Sequence, residues 1–238
     1  DQLIFITEQI QTGFEAKLDC LMIFLDIKAA FDRVWHEGLL FKLKCLGIKG
    51  QLLNWFSNYL ADRQQKVVIK GISSSFRAIT AGVPQGSILG PLLFKIFIND
   101  FGSNLQCDSF LFADDSSILK LYSRNKIKET INQINQDLEK LLLWAKSWRI
   151  QFNIEKTVLM NFSPSGVNPA NISIKFGVHE LEPVRQHLHL GILLSCDLKW
   201  SAHIDRTVSE CNKLLGLLRR RADHLGFEDK CSIYSSII

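Results

Sequence analysis

What the sequence lacks narrows the field first. Nowhere in its 238 residues is there an apolar stretch long enough to cross a bilayer, and no secretory-leader pattern is visible, so no membrane partner is expected. The six cysteines, at 20, 45, 107, 196, 211 and 231, include no pair at zinc-knuckle or redox-motif spacing. Buried free thiols in a reducing compartment are the expectation. No internal repeat is visible, and neither sign of charge dominates: 28 Lys and Arg stand against 24 Asp and Glu, a formal +4 that is not gathered into a tail. Such a balance is compatible with a nucleic-acid partner without indicating one. What is present is a globular composition, 47% hydrophobic and 22% charged, which excludes disorder and collagen-like repeats. A chain of this length suits one large domain or two small ones and buries roughly 70% of its unfolded surface. Residue 1 is Asp, and a piece of a longer protein is expected.

The apolar periodicity predicts a mixed α/β chain. Leu3, Ile6, Ile10 and Phe14 have helical spacing, whereas Cys20–Leu25 is an unbroken apolar run, the pattern of a strand covered on both faces. Helices are predicted over His36–Leu46, stopped by Gly47, and over Gln51–Leu60. Two short β segments follow, Gln65–Lys70 and Phe76–Thr80. The breaker-rich loop Gly82–Gly86 leads into an apolar helix over Ile88–Asn99. Strands are predicted at Ser109–Ala113 and Ser116–Leu121, with Asp114 and Asp115 as the hairpin turn between them. A long amphipathic helix runs from Ile127 to Ala145, and further strands fall at Thr157–Phe162, Ile172–Phe176 and Leu188–Leu194. Ser163–Asn171 reads as a loop, and the tail from Ser201 as helical, with a basic cluster at Arg219, Arg220 and Arg221.

Three aspartates stand at strand ends: Asp26 closes the first strand, and Asp114 and Asp115 join the later pair. If those strands are neighbours, the carboxylates gather at one sheet edge. Like charges there repel one another, so the arrangement favours divalent cations with hard oxygen ligands, as Mg²⁺ prefers. Adjacent residues on a strand face opposite ways, so Asp114 is expected to join Asp26 in direct metal binding, with Asp115 in a lesser role. Taken singly, a plain hairpin turn and a helix N-cap account for the same residues.

Read together, FLDIKAAFDRVWHEGLL, AGVPQGSILGPLLF, FADD, WRIQFNIEKT and HLGILLSCDLKW resemble, in order and spacing, the successive blocks of a reverse transcriptase of the non-LTR, LINE-type, jockey-like group. The resemblance runs from about residue 10 to the end of the chain. It implies an α/β (α+β) fold: a palm with a ferredoxin-like antiparallel sheet backed by helices, plus a partial helical thumb. Residues 1–162 would form the palm with a remnant of the fingers, and 163–238 the primer-grip sheet and partial thumb. The implied activity is RNA-directed DNA polymerisation, moving deoxynucleotides onto a primer 3′-hydroxyl with two Mg²⁺ ions (Mn²⁺ an alternative). RNA template, DNA primer and deoxynucleoside triphosphates are the implied partners. Most of the fingers and the endonuclease of such a protein would lie elsewhere, and the implied setting is intracellular, nucleus or cytoplasm.

Within that resemblance Asp26, Asp114 and Asp115 match the metal-binding carboxylates. Phe31 matches an aromatic that packs under the incoming sugar and excludes a 2′-hydroxyl. Asp32 matches a position outside the metal shell, expected to pair with Arg33 or cap the next helix. Gln85 and Gly86 match a nucleotide-facing loop, Gly86 allowing close backbone approach. Phe112 replaces a more usual Tyr. Lys156 matches a lysine near the triphosphate. His189, Leu190 and Gly191 match the block that grips the primer end, and Arg219, Arg220 and Arg221 would touch duplex phosphates. The lone alternative from another class is a non-catalytic, nucleic-acid-binding remnant of such an element. A polymerase copying RNA into RNA is disfavoured by Phe31.

Overall fold

The computed structural model describes residues 2–167, 172–221 and 226–237. Its centre is a five-stranded sheet in the order β11-β8-β1-β7-β6. The strands are β1 (Asp19–Leu25), β6 (Asp108–Phe112), β7 (Asp115–Tyr122), β8 (Val158–Phe162) and the two-residue β11 (Pro183–Val184). β1 pairs antiparallel with β7, from Asp19 opposite Tyr122 to Leu25 opposite Ser116, and antiparallel with β8 on its other side. β6 is antiparallel to β7, whereas β11 runs parallel to β8.

All seven residues of β1 are buried, and their alternation explains why an unbroken apolar run was needed. Leu21, Ile23 and Leu25 face a core shared with α2 (His36–Cys45), α4 (Leu89–Ile98) and α5 (Ile127–Ser147). Cys20, Met22 and Phe24 face a second core with Ile6 and Ile10 of α1 (Gln2–Glu15) and Leu194 of β13 (Ile192–Ser195). A strand alternating apolar and polar groups would have left one of these cores without its floor. On the α2 side, Lys42 is buried: it donates to the Phe97 carbonyl and to Asp100 Oδ1, with its Nζ 3.7 Å from the Trp148 ring centre. Burial pulls this ammonium below the usual lysine range, against the opposing effect of Asp100.

Several expectations are corrected in detail. The region expected to hold two β segments folds as nested pairs, β2 (Gln64–Gln65) with β5 (Arg77–Ala78) and β3 (Val68–Ile69) with β4 (Ile72–Ser73), projecting beyond α3 (Gly50–Leu60) with all eight strand residues exposed. The hairpin turn is Ala113–Asp114 rather than Asp114–Asp115, because Phe112 pairs with Asp115. Ala113 takes φ +54°, which lets the two-residue connection follow the twist of its strands. The run expected as one strand over 188–194 is a hairpin of β12 (Gln186–His189) and β13, turned at Leu190 (φ +49°) and Gly191 (φ +81°). Of the six cysteines, Cys20, Cys107 and Cys196 are buried, Cys211 is partly so, and Cys45 and Cys231 are exposed.

After residue 163 the chain stays knitted to the same body. β9 (Ile174–Phe176) and β10 (His179–Leu181) form a hairpin against α5, and the Lys175 amide donates to Asn135 Oδ1. Phe176 and Phe152 meet in the core, their rings 5.4 Å apart. Two helices, α6 (Ser201–Arg221) and α7 (Phe227–Ile237), complete the described chain. Among the described residues no helix is long and apolar enough to cross a membrane.

Candidate active site

The sheet register assembles one acidic edge. Asp26 is the residue after the last β1 pair, Leu25 opposite Ser116, and Asp115 is the residue before Ser116. Ser116 Oγ donates to the Leu25 carbonyl and pins this end of the ladder. Beyond it the chain from Asp26 to Lys28 runs beside 151–153: the Asn153 amide donates to the Asp26 carbonyl at 2.7 Å and the Lys28 amide to the Gln151 carbonyl at 2.8 Å. That contact brings the 3₁₀ turn Ile154–Lys156, and so Lys156, to the carboxylates.

Two clefts open at this edge. One, of about 450 Å³, is lined by Asp26, Asp114, Phe31, Asp32, Gln85 and Lys156 among others. The other, of about 340 Å³, holds Asp26, Asp115, Lys156, His187 and His189. Asp26 and Lys156 are common to both, while the adjacent Asp114 and Asp115 diverge, one to each. Asp115 is held above the usual carboxylate range by partial burial first, then by the charges of Asp114 and Asp26. The charges of both Asp114 and Asp26 thus reach Asp115.

The donor set is hard oxygen, and the mutual repulsion is of the kind a cation relieves. Among the described residues, no group of three His, Cys, Asp or Glu side chains is placed to hold a metal ion unaided. Hard oxygen donors of this kind suit Mg²⁺, which takes much of its shell from water and substrate phosphates.

The other candidate residues fall around this edge. Phe31 is half-buried and stacks on Phe94, ring centres 4.6 Å apart, while still lining the Asp114 cleft. Gln85 and Gly86 are exposed on the loop before α4, Gly86 with φ +78° and nothing that a Cβ would strike. Lys156 is exposed and forms no ion pair among the described residues. His189 is 4% exposed, and its Nε2 has no hydrogen-bond partner. Burial first, and His187 second, push its imidazole down to about 4, so it is neutral near pH 7. Phe24 packs against both imidazoles, at 4.4 Å from His187 and 4.8 Å from His189 between ring centres. Leu190 and Gly191 form the turn beyond. Arg219 and Arg220 are exposed on α6, far along the chain from this edge, and the Arg221 side chain lies outside the described residues.

The expected pairing of Asp32 with Arg33 is not formed. Asp32 Oδ1 accepts from Gln85 Nε2 at 2.9 Å, and Arg33 donates to Gln151 Oε1 at 2.6 Å. Nor does Asp32 cap α2, whose N-cap position is Trp35. His36 is a contributor the sequence reading missed: its Nε2 donates to the Gly82 carbonyl at 2.8 Å. Gly82 itself has a specific requirement, because a Cβ there would lie 2.7 Å from the Asp32 carbonyl oxygen.

Comparisons with known proteins agree with this architecture. The family described as "Reverse transcriptase (RNA-dependent DNA polymerase)" matches residues 3–217. In Drosophila melanogaster, the probable RNA-directed DNA polymerase from transposon BS is 32% identical, covering 92% of this chain and 25% of that protein. The RNA-directed DNA polymerase from mobile element jockey, from the same fly, is 31% identical over 100% of this chain and 27% of its own length. The chain thus spans about a quarter of these curated relatives. Apo telomerase of Candida tropicalis truncated from its C-terminal domain shares the fold, with TM-score 0.55 and 15% identity over 82% of this chain and 39% of that one. Ordered sequence blocks, an acidic sheet edge and a family match over nearly the whole length converge: the chain belongs to the reverse transcriptase family.

Proposed function

We propose that this chain is the catalytic palm of an RNA-directed DNA polymerase of the non-LTR retrotransposon kind, adding deoxynucleotides to a primer 3′-hydroxyl along an RNA template and releasing pyrophosphate. The observation that carries the reading is the acidic edge itself: the sheet register brings Asp26, Asp114 and Asp115 to two adjoining clefts, where the charges of Asp26 and Asp114 reach Asp115 and Lys156 lines both.

Asp26 and Asp114 are the proposed ligands of two Mg²⁺ ions, with Asp115 beside them. When bound, such ions supply activation of the attacking hydroxyl and neutralisation of the leaving pyrophosphate. Lys156 adds a mobile positive charge on the triphosphate side. The Phe31 ring, immobilised by Phe94, floors the sugar pocket, and Gln85 meets the nucleotide. In the neighbouring cleft the buried His189 would back the primer end, with Leu190 and Gly191 closing the hairpin. Arg219, Arg220 and Arg221 would follow duplex phosphates. In this reading residues 1–162 supply the chemistry, and 163–238 hold the primer side and begin the thumb.

The test is primer extension on an RNA template with Mg²⁺. The wild-type protein is expected to extend the primer, and Asp114→Asn to leave folding intact while extension disappears. Equal extension by the variant, or binding of primer–template with no extension by the wild type, overturns the proposal; the second result is the signature of a non-catalytic remnant.

A further inference from the structure

Gln85 does not hang free in its cleft. Its Nε2 donates to Asp32 Oδ1 at 2.9 Å, and no other side chain is bonded to Asp32 among the described residues. The backbones on which the two side chains stand are bolted together. The Gly82 amide donates to the Val34 carbonyl and the Val83 amide to the Phe31 carbonyl, each at 2.8 Å, and His36 holds the Gly82 carbonyl. Gly82 lies so close to Asp32 that a Cβ would strike its backbone. The backbone of the Gln85 loop is thus tied, two and three residues before Gln85, to the segment that carries Asp32.

Chemistry then settles which way the amide faces. A glutamine amide can normally turn to offer either its carbonyl or its NH₂. An ionised carboxylate only accepts, so facing Asp32 the amide must spend its nitrogen there. Oε1 is left as the acceptor turned away from Asp32. The pair also forms the wall between two spaces. Both residues line the cleft of Asp26, Asp114 and Lys156, and both line a groove of about 750 Å³ that runs along the base of the projecting hairpin past Arg63 and Gln65.

We infer that Asp32 is a positioning residue: it locks Gln85 with its carbonyl oxygen presented to the nucleotide, where that oxygen accepts from a hydroxyl or amino donor of the incoming deoxynucleoside triphosphate. This rests on the polymerase reading above and adds to it a residue that touches neither metal nor substrate.

The experiment is a double-mutant cycle of Asp32→Ala and Gln85→Ala in primer extension, titrating each deoxynucleotide. A hydrogen bond assisted by a charge supports an expectation that each single variant raises KM by roughly tenfold with kcat within about twofold. The double variant should be no worse than either single one. Asp32→Asn fills the same space but can donate to Gln85 Oε1 as well as accept from Nε2, so its KM should stay well above that of the wild type, an outcome that a merely structural aspartate would not require. Repeating the titration with 2′,3′-dideoxynucleotides and with deoxyinosine in place of deoxyguanosine triphosphate separates the sugar hydroxyl from the base amino group as the donor. Additive losses, a loss in kcat alone, or Asp32→Asn with the wild-type KM overturns the inference while leaving the polymerase reading intact. If the wild type extends no primer, the polymerase reading fails by itself. The side-chain amide resonances of Gln85 then decide the remainder: they should move when Mg²⁺ and deoxynucleoside triphosphate are added to wild type and not to Asp32→Ala, and equal movement in both overturns it.

Discussion

The central strand carries an aspartate at each end, and the two are treated in opposite ways. Asp19, at the start of β1, is 5% exposed in its side chain and fully engaged: Arg124 Nε lies 2.7 Å from its Oδ2, and Arg124 in turn holds Ser163 and Ser165. Beside it the Tyr122 hydroxyl donates to Asn161 Oδ1 at 2.7 Å. At the other end, Asp26, Asp114 and Asp115 have no such guanidinium among the described residues, and their repulsion is visible in Asp115. Asp137 of α5 belongs with Asp19, because its enclosed carboxylate accepts from the Gln106 and Cys107 amides and from Lys140. Carboxylates that hold the fold together are matched; those left unmatched at a sheet edge are the ones available to chemistry.

The sharpest way to break this comparison is to neutralise each kind. Asp26→Asn is expected to lower nucleotide incorporation by about a thousandfold or more. Its thermal midpoint should hold or rise, since one repelling charge is gone; a drop in both would make Asp26 structural. Asp137→Ala should instead lower stability in urea titrations by about 3 kcal/mol, because two amides and Lys140 lose their acceptor. Asp19→Ala should cost about 1–2 kcal/mol, with the partner Arg124 mostly solvated, and leave primer extension within about twofold. The smallest effect is one of pH. Asp137 is held below its ordinary value of 3.8: burial alone would raise it, but Lys140 and the Cys107 and Gln106 groups outweigh that. Its contribution is therefore complete above about pH 5 and fades as pH falls through the ordinary value and on through the depressed one, so Asp137→Asn should flatten the acid limb of stability measured between about pH 5 and pH 3.

Much of this could be read from the letters, for a physical reason. Cys20–Leu25 had to be a doubly covered strand because an apolar run of that length has nowhere else to put both faces, and the six-residue expectation grew only by Asp19. The amphipathic periods of α1 and α5 survived because tertiary packing uses the same stripe that the spacing creates. What was illegible depends on contacts distant in sequence or on backbone angles without a residue signature. Neither Asp32 nor Gln85 advertises its partner across 53 positions, and local reasoning paired Asp32 with its neighbour instead. The turn at Leu190–Gly191 was hidden inside an apolar run, since leucine gives no warning of a positive φ. The shift of the hairpin turn to Ala113–Asp114 had the same origin: two acidic residues looked more turn-like than an alanine.

That alanine has a further consequence. Left-handed backbone at Ala113 is a conformation glycine would adopt at no steric penalty, so the chain holds about 1 kcal/mol of local discomfort one residue ahead of Asp114. Glycine would relax it but would also widen the arc through which the next carboxylate swings. Keeping the methyl group trades comfort for aim, and a tighter-folding variant at this corner would gain its sturdiness by blurring where its acid points.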